Sequence, residues 1–126
     1  MNRWCNTQRG LVLFLVVLAF CPALYAGFKP EQRVIIVQSE TDGPTSVYAA
    51  DLDGDGDLDV LSASYWDNKI AWYTNDGTGR FGPQQAITTA ASGAWCVYAA
   101  DLDGDGDLDV VSASENDDKI AWYENE

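Results

Sequence analysis

The stretch that decides the fold occupies residues 51–60 and reads Asp-Leu-Asp-Gly-Asp-Gly-Asp-Leu-Asp-Val; it returns unchanged at residues 101–110. Five carboxylates fall within nine residues of each copy, and their mutual repulsion makes a bare loop hard to keep compact. Around a hard cation the same carboxylates become ligands, because Ca²⁺ takes 6–8 oxygens at about 2.3–2.6 Å. Each copy therefore predicts a calcium-binding loop, and the chain two structural Ca²⁺ sites.

In each loop, alternate residues of a tight turn point inward, so the carboxylates at the first, third and fifth positions converge on one ion. Glycines at the fourth and sixth positions permit the positive φ angles that this wrapping needs. The seventh residue would offer its backbone carbonyl, and the ninth would close the shell. The predicted metal ligands are Asp51, Asp53, Asp55, Asp57 and Asp59 in the first loop, and Asp101, Asp103, Asp105, Asp107 and Asp109 in the second.

Other interpretations of the two loops are weaker. An EF-hand needs an acidic ligand at position 12 and a helix on each side, whereas position 12 is Ser62 or Ser112 and strand-like residues follow each loop. Mg²⁺ is disfavoured, since it is small, strictly octahedral and slow to lose its waters. A solvated acidic turn without a metal is the remaining alternative, and two identical copies with both glycines argue against it.

The first 26 residues contain no acidic residue and hold Arg3 and Arg9 ahead of an apolar run at residues 11–20. A basic start, a short apolar core and small residues near Ala26 are typical of a secretory signal peptide, and a bilayer span needs about 20 residues. We therefore expect residues 1–26 to be a cleaved signal peptide and the mature protein to be secreted, without membrane insertion. An uncleaved anchor, or surface anchoring through a weak lipobox ending at Cys21, is the alternative.

Loss of that segment would remove Cys5 and Cys21 and leave Cys96 alone, so the domain is not a disulfide scaffold. We expect Cys96 to be buried as a small apolar side chain, with pairing to another chain as the alternative. The formal net charge of −13 would become −15 without Arg3 and Arg9. Nucleic acid and anionic lipid are therefore poor partners, since phosphate binding needs clustered Lys and Arg.

An internal repeat is the second strong signal, because residues 47–73 match residues 97–123 at an offset of 50. The four differences are Leu61/Val111, Tyr65/Glu115, Trp66/Asn116 and Asn68/Asp118. The first unit predicts four short strands, at residues 33–38, 47–50, 59–64 and 69–73, and residues 85–89 echo the first of them in the second unit. Four short strands in about 50 residues are typical of a propeller blade.

The acidic stretch, with the downstream Asn75-Asp76-Gly77-Thr78-Gly79-Arg80-Phe81, resembles the FG-GAP/VCBS-type repeat of integrin α-subunit propellers and of many secreted or cell-surface proteins. The resemblance covers residues 28–126. It implies an all-β fold of two tandem four-stranded β-propeller blades, a partial propeller, with calcium held in each loop by the aspartates given above. The expected division is a signal peptide at 1–26, blade 1 at 27–80 and a C-terminally incomplete blade 2 at 81–126.

The chain departs from the family in its length. Propellers close with four to eight blades, whereas this chain is long enough for two. A fragment of a longer protein, a truncated gene product, or self-association into a closed ring would each account for two blades. The first two explanations are favoured.

The chain has no histidine, which excludes Ser/His/Asp and Cys/His nucleophiles and His₃ zinc sites. An ion that keeps the aspartates ionised also makes them poor general acids. We therefore expect no enzyme and no catalytic residue, but a secreted calcium-binding module for extracellular protein binding or adhesion. The alternative is a carbohydrate-binding accessory repeat of a secreted polysaccharide-active enzyme, with Tyr65 and Trp66 as the residues that contact the glycan.

Overall fold

Runs of Val, Ile, Ala and aromatic residues alternate with acidic and Asp-Asn turns along residues 41–126. The computed structural model describes residues 27, 31–35 and 41–126, and among these it shows strands and no helix. The strands are β1 (Pro44–Ala50), β2 (Asp59–Ser64), β3 (Lys69–Tyr73), β4 (Gln85–Thr88), β5 (Ala94–Ala100), β6 (Asp109–Ser114) and β7 (Lys119–Tyr123). The all-β class is confirmed.

The strands form two antiparallel sheets within one compact unit, Val34–Glu126. The first sheet has the order β1-β2-β3-β4 and the second the order β5-β6-β7. Their registers repeat at the 50-residue offset, so that Ala50 faces Asp59 in one sheet and Ala100 faces Asp109 in the other. The sheets are separate and do not join into a closed barrel within the described part of the chain.

Three sequence expectations about the strands need correction. The strand expected at 33–38 is wrong for residues 33–35, which belong to neither sheet; its other residues lie outside the described part. The fourth place in the first sheet is filled instead by β4, whose residues the repeat had assigned to the second unit. The second sheet has three strands in the described residues rather than four.

The signal peptide expected at 1–26 lies outside the described residues. The division of the chain into 27–80 and 81–126 stays a prediction. None of the described residues form a helix that is long and apolar enough to cross a membrane.

Cross-strand partners share a face of a sheet, so the registers define two faces of each. The front face carries Leu61, Ala63, Ile70 and Trp72 in the first sheet, and Val111, Ala113, Ile120 and Trp122 in the second. The back face carries Val47, Ala49, Val60 and Tyr73 in the first sheet, and Val97, Ala99, Val110 and Tyr123 in the second.

The main core lies between the front face of the first sheet and the back face of the second. Leu61, Ala63 and Ile70 are completely buried there and share one apolar cluster with Val97 and Val110. Strand β5 supplies this contact, since it lies against β1, β2 and β3. Apolar burial between the sheets therefore stabilises the pair of units as one body.

Polar contacts fix how the sheets meet at the ends away from the acidic loops. Thr45 Oγ1 donates a hydrogen bond of 2.8 Å to the Ala94 carbonyl oxygen. Asn68, with a φ of 55°, accepts at its carbonyl oxygen from the Ala91 N–H at 3.0 Å and at Oδ1 from the Gly93 N–H at 2.9 Å. Asn tolerates the left-handed conformation better than most residues, so this turn position suits it.

Cys96 is exposed, so the expectation that it is buried is wrong. It lies opposite Ala113 and therefore on the front face of the second sheet, which no described sheet covers. The sequence places Cys96 on a strand, but the face that is covered depends on how the sheets pack.

Candidate metal centres

The two acidic loops connect β1 to β2 and β5 to β6, so they lie at the same end of the two sheets. Each loop turns through two glycines with positive φ: 75° at Gly54 and 95° at Gly56, then 85° at Gly104 and 105° at Gly106. Residues with a side chain rarely adopt such φ angles, so the loop can follow its tight path because glycines stand at these positions. The positive φ angles expected from the sequence are confirmed.

Three carboxylates in each loop converge. One oxygen from each of Asp51, Asp53 and Asp59 lies within 4.8 Å of the others, and Asp101, Asp103 and Asp109 repeat the arrangement. Two oxygens that bind one Ca²⁺ at about 2.3–2.6 Å stand no more than about 5.2 Å apart. The spacing in both loops is therefore compatible with a single Ca²⁺ held by all three side chains.

Backbone N–H groups hold the carboxylates of Asp51, Asp53 and Asp55 in place around the turn. Asp51 Oδ2 accepts from the Gly56 N–H at 3.0 Å, and Asp55 Oδ1 accepts from the Asp57 N–H at 2.9 Å. Asp53 Oδ1 accepts from the Asp55 N–H at 3.3 Å. The second loop repeats the three contacts at 3.2, 2.9 and 3.2 Å. Each of these aspartates in the first loop uses one oxygen to shape the loop, whereas Asp101 uses both, because its Oδ1 also accepts from the Gly104 N–H at 2.7 Å. These contacts order the carboxylates before a cation arrives.

Asp59 has a different environment from the rest, because it is completely buried. Its Oδ2 accepts from the Leu52 N–H at 3.0 Å and its Oδ1 from the Asn75 N–H at 2.8 Å. Asp109 makes the same two contacts in the second loop, with Leu102 at 3.0 Å and Asn125 at 2.9 Å. The residue thus joins the start of the loop to the end of the third strand, which sequence reasoning did not foresee.

Asn75 and Asn125 are functional residues that sequence reasoning missed. The Asn75 side-chain amide donates to the Leu58 carbonyl oxygen at 3.0 Å, and Asn125 donates to Leu108 at 3.3 Å. Asn125 also donates to the Leu52 carbonyl oxygen at 2.9 Å and so links the end of the second unit to the loop of the first. The two asparagines are 50 residues apart, so the repeat offset itself carried the signal.

The carboxylates of the loop repel one another, and two pKa values reflect this. The pKa of Asp53 lies above its usual value because desolvation and the neighbouring carboxylates of Asp59, Asp55 and Asp51 together outweigh its hydrogen bond from the Asp55 N–H. For Asp103, the Asp105 N–H lowers the pKa, but desolvation and the adjacent carboxylates raise it by more. A cation between these groups would relieve the repulsion.

A buried carboxylate oxygen supports the fit of a cation to the first loop. Asp51 Oδ1 is buried and has no hydrogen-bond partner among the described residues. A charged oxygen without a partner in such a place costs free energy, and a metal ion would satisfy it. The donor set is entirely oxygen, as hard cations such as Ca²⁺ prefer.

Asp55, Asp57, Asp105 and Asp107 lie outside the two convergent groups. Asp57 is directed toward the turn at residues 75–81, because a Cβ added at Gly77 would collide with its carboxylate. Asp105 and Asp107 are exposed. The sequence-predicted set of five per loop therefore divides into three that converge and two that do not.

Aromatic side chains form a second candidate site at the opposite end of the sheets. Tyr65 stands edge-on to Trp66, with ring centroids 4.8 Å apart, and to Trp95, with centroids 6.3 Å apart. The three rings line an open cleft of about 350 Å³ together with Glu115. Trp95 was not singled out from the sequence, since only the fold brings it beside Tyr65.

Two small sheets, each with an acidic loop between its first two strands, define a repeat protein built from β-hairpin units. The profile of the FG-GAP-like repeat matches the chain at residues 26–62 and 51–112. Together these matches cover more than half of the sequence, so the chain belongs to the FG-GAP-like repeat family, as the sequence predicted. No curated protein and no solved structure shows a significant match to the chain.

Proposed function

We propose that this FG-GAP-like repeat protein is a secreted module for extracellular protein binding or adhesion, and that each acidic loop holds one structural Ca²⁺. The observation that carries the calcium assignment is the convergence of three carboxylate oxygens within 4.8 Å in both loops. The sheets are then propeller blades, and the chain itself performs no catalytic step.

The role of the ion is structural in this proposal. Asp51 and Asp53 would hold it from the loop, and the completely buried Asp59 would connect it to the start of the loop and to the end of the third strand. Extracellular calcium modules bind with Kd values of about 10⁻⁴–10⁻³ M. At about 1 mM Ca²⁺ each site would contribute roughly 0.4–1.4 kcal/mol to the free energy of unfolding.

A thermal melt in Ca²⁺, in Mg²⁺ and in chelator tests the proposal, with Asp53→Asn compared against Glu115→Gln. Both variants remove one negative charge, but Glu115 is exposed and lies at the end of the sheets opposite the loops. The parent and Glu115→Gln should gain the same stability from Ca²⁺, and Asp53→Asn should lose part of the gain. An equal gain in all three proteins would contradict the proposed site.

Secretion is tested by recovering the protein from the medium of its host and determining its N-terminus. A start near Gly27 would agree with removal of residues 1–26, and retention of Met1 inside the cell would contradict secretion. Adhesion is tested by binding of the recovered protein to immobilised extracellular matrix proteins, in Ca²⁺ and in chelator. Binding only in Ca²⁺ is the expected result, because the loops order the ends of the blades.

A carbohydrate-binding accessory role is the second candidate, and the aromatic cleft favours it. Trp66 is 70% exposed and Trp95 is 57% exposed, so two indole rings face water beside the Glu115 carboxylate. The Tyr65 hydroxyl donates a hydrogen bond of 3.0 Å to Asn116 Oδ1, and this bond holds the Tyr65 ring in its position beside the two indoles. Exposed aromatic rings with polar neighbours are suited to stack on sugar rings while hydrogen-bonding their hydroxyls.

A glycan array separates the two candidates. Binding that is lost in Trp66→Ala but kept in Asp76→Ala, an exposed substitution remote from the cleft, would support the carbohydrate role. Adhesion to protein without any glycan signal would support the first candidate.

A further inference from the structure

The three rings of the aromatic cleft stand in different orientations. The Tyr65 ring is inclined at 81° to the Trp66 indole and at 80° to the Trp95 indole. A flat ligand such as a sugar ring stacks on the face of one aromatic ring. Rings that stand nearly perpendicular to one another instead surround a compact, rounded group from several sides. The arrangement of the cleft therefore favours a ligand of that shape.

Two glycines allow the rings to lie directly against the backbone. A Cβ added at Gly43 would collide with the Trp66 indole, and one added at Gly93 would crowd the Tyr65 ring at 3.1 Å. The Tyr65 N–H donates to the Gly43 carbonyl oxygen at 2.8 Å, and the Tyr65 hydroxyl donates to Asn116. These contacts hold the rings in place before a ligand enters, which lowers the entropic cost of binding.

The cleft is formed at positions where the two units differ. Three pairs of equivalent positions contribute to it: Tyr65 and Glu115, Trp66 and Asn116, and Thr45 and Trp95. Five of these six residues line the cleft, and Asn116 holds the Tyr65 ring. A requirement of the repeat fold would apply to both units alike. The residues of the cleft are therefore suited to a ligand rather than to the repeat, and both sides of the cleft lie within the described chain.

Negative charge surrounds the cleft. Within residues 41–126, the turns at this end of the sheets carry Asp42, Asp67, Glu115, Asp117 and Asp118 against Lys69 and Lys119. Lys69 pairs with Asp67 at 3.0 Å and Lys119 with Asp117 at 2.8 Å. Glu115 takes part in neither pair and lines the cleft. Since the whole chain also has a formal net charge of −13, the field at the cleft attracts a cation.

The chemistry of the lining decides which kind of cation fits. An unmethylated ammonium group carries three N–H donors and a guanidinium carries five, and these groups lose hydrating water when they enter a site. Three aromatic rings and the Glu115 carboxylate would leave most of those donors unpaired. A quaternary ammonium has no N–H group to satisfy, and the faces of aromatic rings attract its charge through its methyl groups.

We propose that the aromatic cleft binds a small quaternary ammonium ion such as choline. Tyr65, Trp66 and Trp95 attract it by cation–π contact, and Glu115 attracts it by charge. The ion is a free solute rather than a lipid headgroup, because the phosphate of a headgroup would meet the acidic surroundings of the cleft. This site rests neither on calcium in the loops nor on adhesion, and it competes with the carbohydrate role for the same cleft.

The indole N–H signals in an NMR titration of the exported protein measure binding at the cleft. Choline should shift the Trp66 and Trp95 signals and leave Trp122 unchanged, because Trp122 lies near the other end of β7. The neutral analogue of choline, in which a tert-butyl group replaces the trimethylammonium, should bind roughly tenfold more weakly. No shift up to about 10 mM choline, where a site of millimolar affinity would be nearly saturated, would overturn the proposal. Equal affinity for the neutral analogue would also overturn it.

Two substitutions test the attraction between the cleft and the charge of the ligand. Trp66 is 70% exposed, so Trp66→Leu should keep the fold and the apolar bulk while it removes one aromatic face. Its affinity for choline should fall several-fold, and its affinity for the neutral analogue should change little. Glu115→Gln should weaken choline binding in the same way. Glu124→Gln removes the same charge from the exposed residue after β7 and should bind as the parent does. A preference for choline that survives both Trp66→Leu and Glu115→Gln would overturn the assignment.

Competing ligands identify the source of the ammonium group. Phosphocholine should bind more weakly than choline, and tighter binding of phosphocholine would overturn the assignment to a free solute. Shifts caused by a neutral glucose oligosaccharide but not by choline would overturn the proposal in favour of the carbohydrate role. The titrations are repeated in Ca²⁺ and in chelator, because the cleft lies at the end of the sheets opposite the acidic loops. Choline binding in a protein whose loops bind no ion would support the cleft and contradict only the calcium sites.

Discussion

Asp59 and Asn75 are sixteen residues apart in sequence, yet the Asp59 carboxylate accepts a hydrogen bond of 2.8 Å from the Asn75 backbone N–H. The same carboxylate accepts from the Leu52 N–H, so one buried side chain joins the start of the acidic loop to the end of β3. Asp109 repeats this relationship with Asn125. The loop that would bind a cation is therefore connected directly to the sheet that it serves.

Replacing Asp59 should destabilise the protein even without calcium. Asp59→Ala removes the acceptor of two backbone N–H groups, and each buried N–H left unpaired costs about 1–3 kcal/mol. Urea unfolding in chelator measures the effect, with Asp107→Ala as the control because Asp107 is exposed. Equal losses of stability in the two variants would contradict the structural role of Asp59.

Replacing the carboxylate at the third loop position should act through calcium. Asp53→Ala or Asp103→Ala should each lose one ion, because each removes one of three converging carboxylates, and the loss of roughly 0.4–1.4 kcal/mol would lower the melting temperature by about 2–10 °C in Ca²⁺. In chelator, parent and variant should melt close together. The same melting temperature for both in saturating Ca²⁺ would show that these residues are not ligands.

The loop glycines should be sensitive to a Cβ for conformational reasons alone. Gly54 has a φ of 75° and has open space around it, so Gly54→Val would be strained without meeting a steric clash. Gly54→Asn should be milder, because Asn adopts the left-handed region more readily. Chemical denaturation in chelator compares the two, and equal stability of both variants would argue against a strained backbone at this position.

The pKa of Asp117 is held below its ordinary value of 3.8 by hydrogen bonds from Lys119 and Ser114. The pKa of Asp117 is lower in the folded protein than in the unfolded chain. The stability that the ionised Asp117 contributes is therefore present above pH 3.8 and is lost as the pH falls through the lowered pKa. Lys119→Met should therefore raise the pKa of Asp117, as followed by NMR titration of its carboxyl carbon. Asp76, whose pKa is lowered by Thr78, should not change, and a shift at both sites would indicate a global effect.

Local patterns in the sequence carried much of the fold. Strands β2 and β3 run where the alternation of apolar residues predicts them, at 59–64 and 69–73, because each is flanked by a strong turn. The turn formed by the acidic loop was also predictable, since its glycines permit the positive φ angles that a tight turn needs. Strand β1 begins at Pro44, three residues before the predicted start, because the pairing with β2 extends into a less apolar segment.

Contacts between distant parts of the chain were not predictable in the same way. The sequence repeat places residues 85–88 in the second unit, whereas pairing with β3 makes them the outer strand of the first sheet. The prediction that Cys96 is buried was wrong for a related reason, since a strand pattern identifies two faces but not which one is covered. Trp95 joined the aromatic cleft only because β5 begins beside the turn after β2.

The candidate metal centres likewise combine local features that the sequence predicts with long-range contacts that it does not. Sequence spacing identified all the aspartates that converge, but the backbone contacts of Asp59 and the amide contacts of Asn75 depend on the position of β3. A ligand pattern specifies which oxygens are near one another in the chain. The fold decides which of them also hold the loop to the sheet.

Isothermal calorimetry with Ca²⁺ tests the central claim most directly, on the exported protein and on its Asp53→Ala and Asp103→Ala variants. The account predicts two ions per parent chain and one per chain in each variant, since each substitution removes a carboxylate from one of the two convergent groups. An absence of binding heat in the parent would contradict it, as would a stoichiometry that both substitutions leave unchanged.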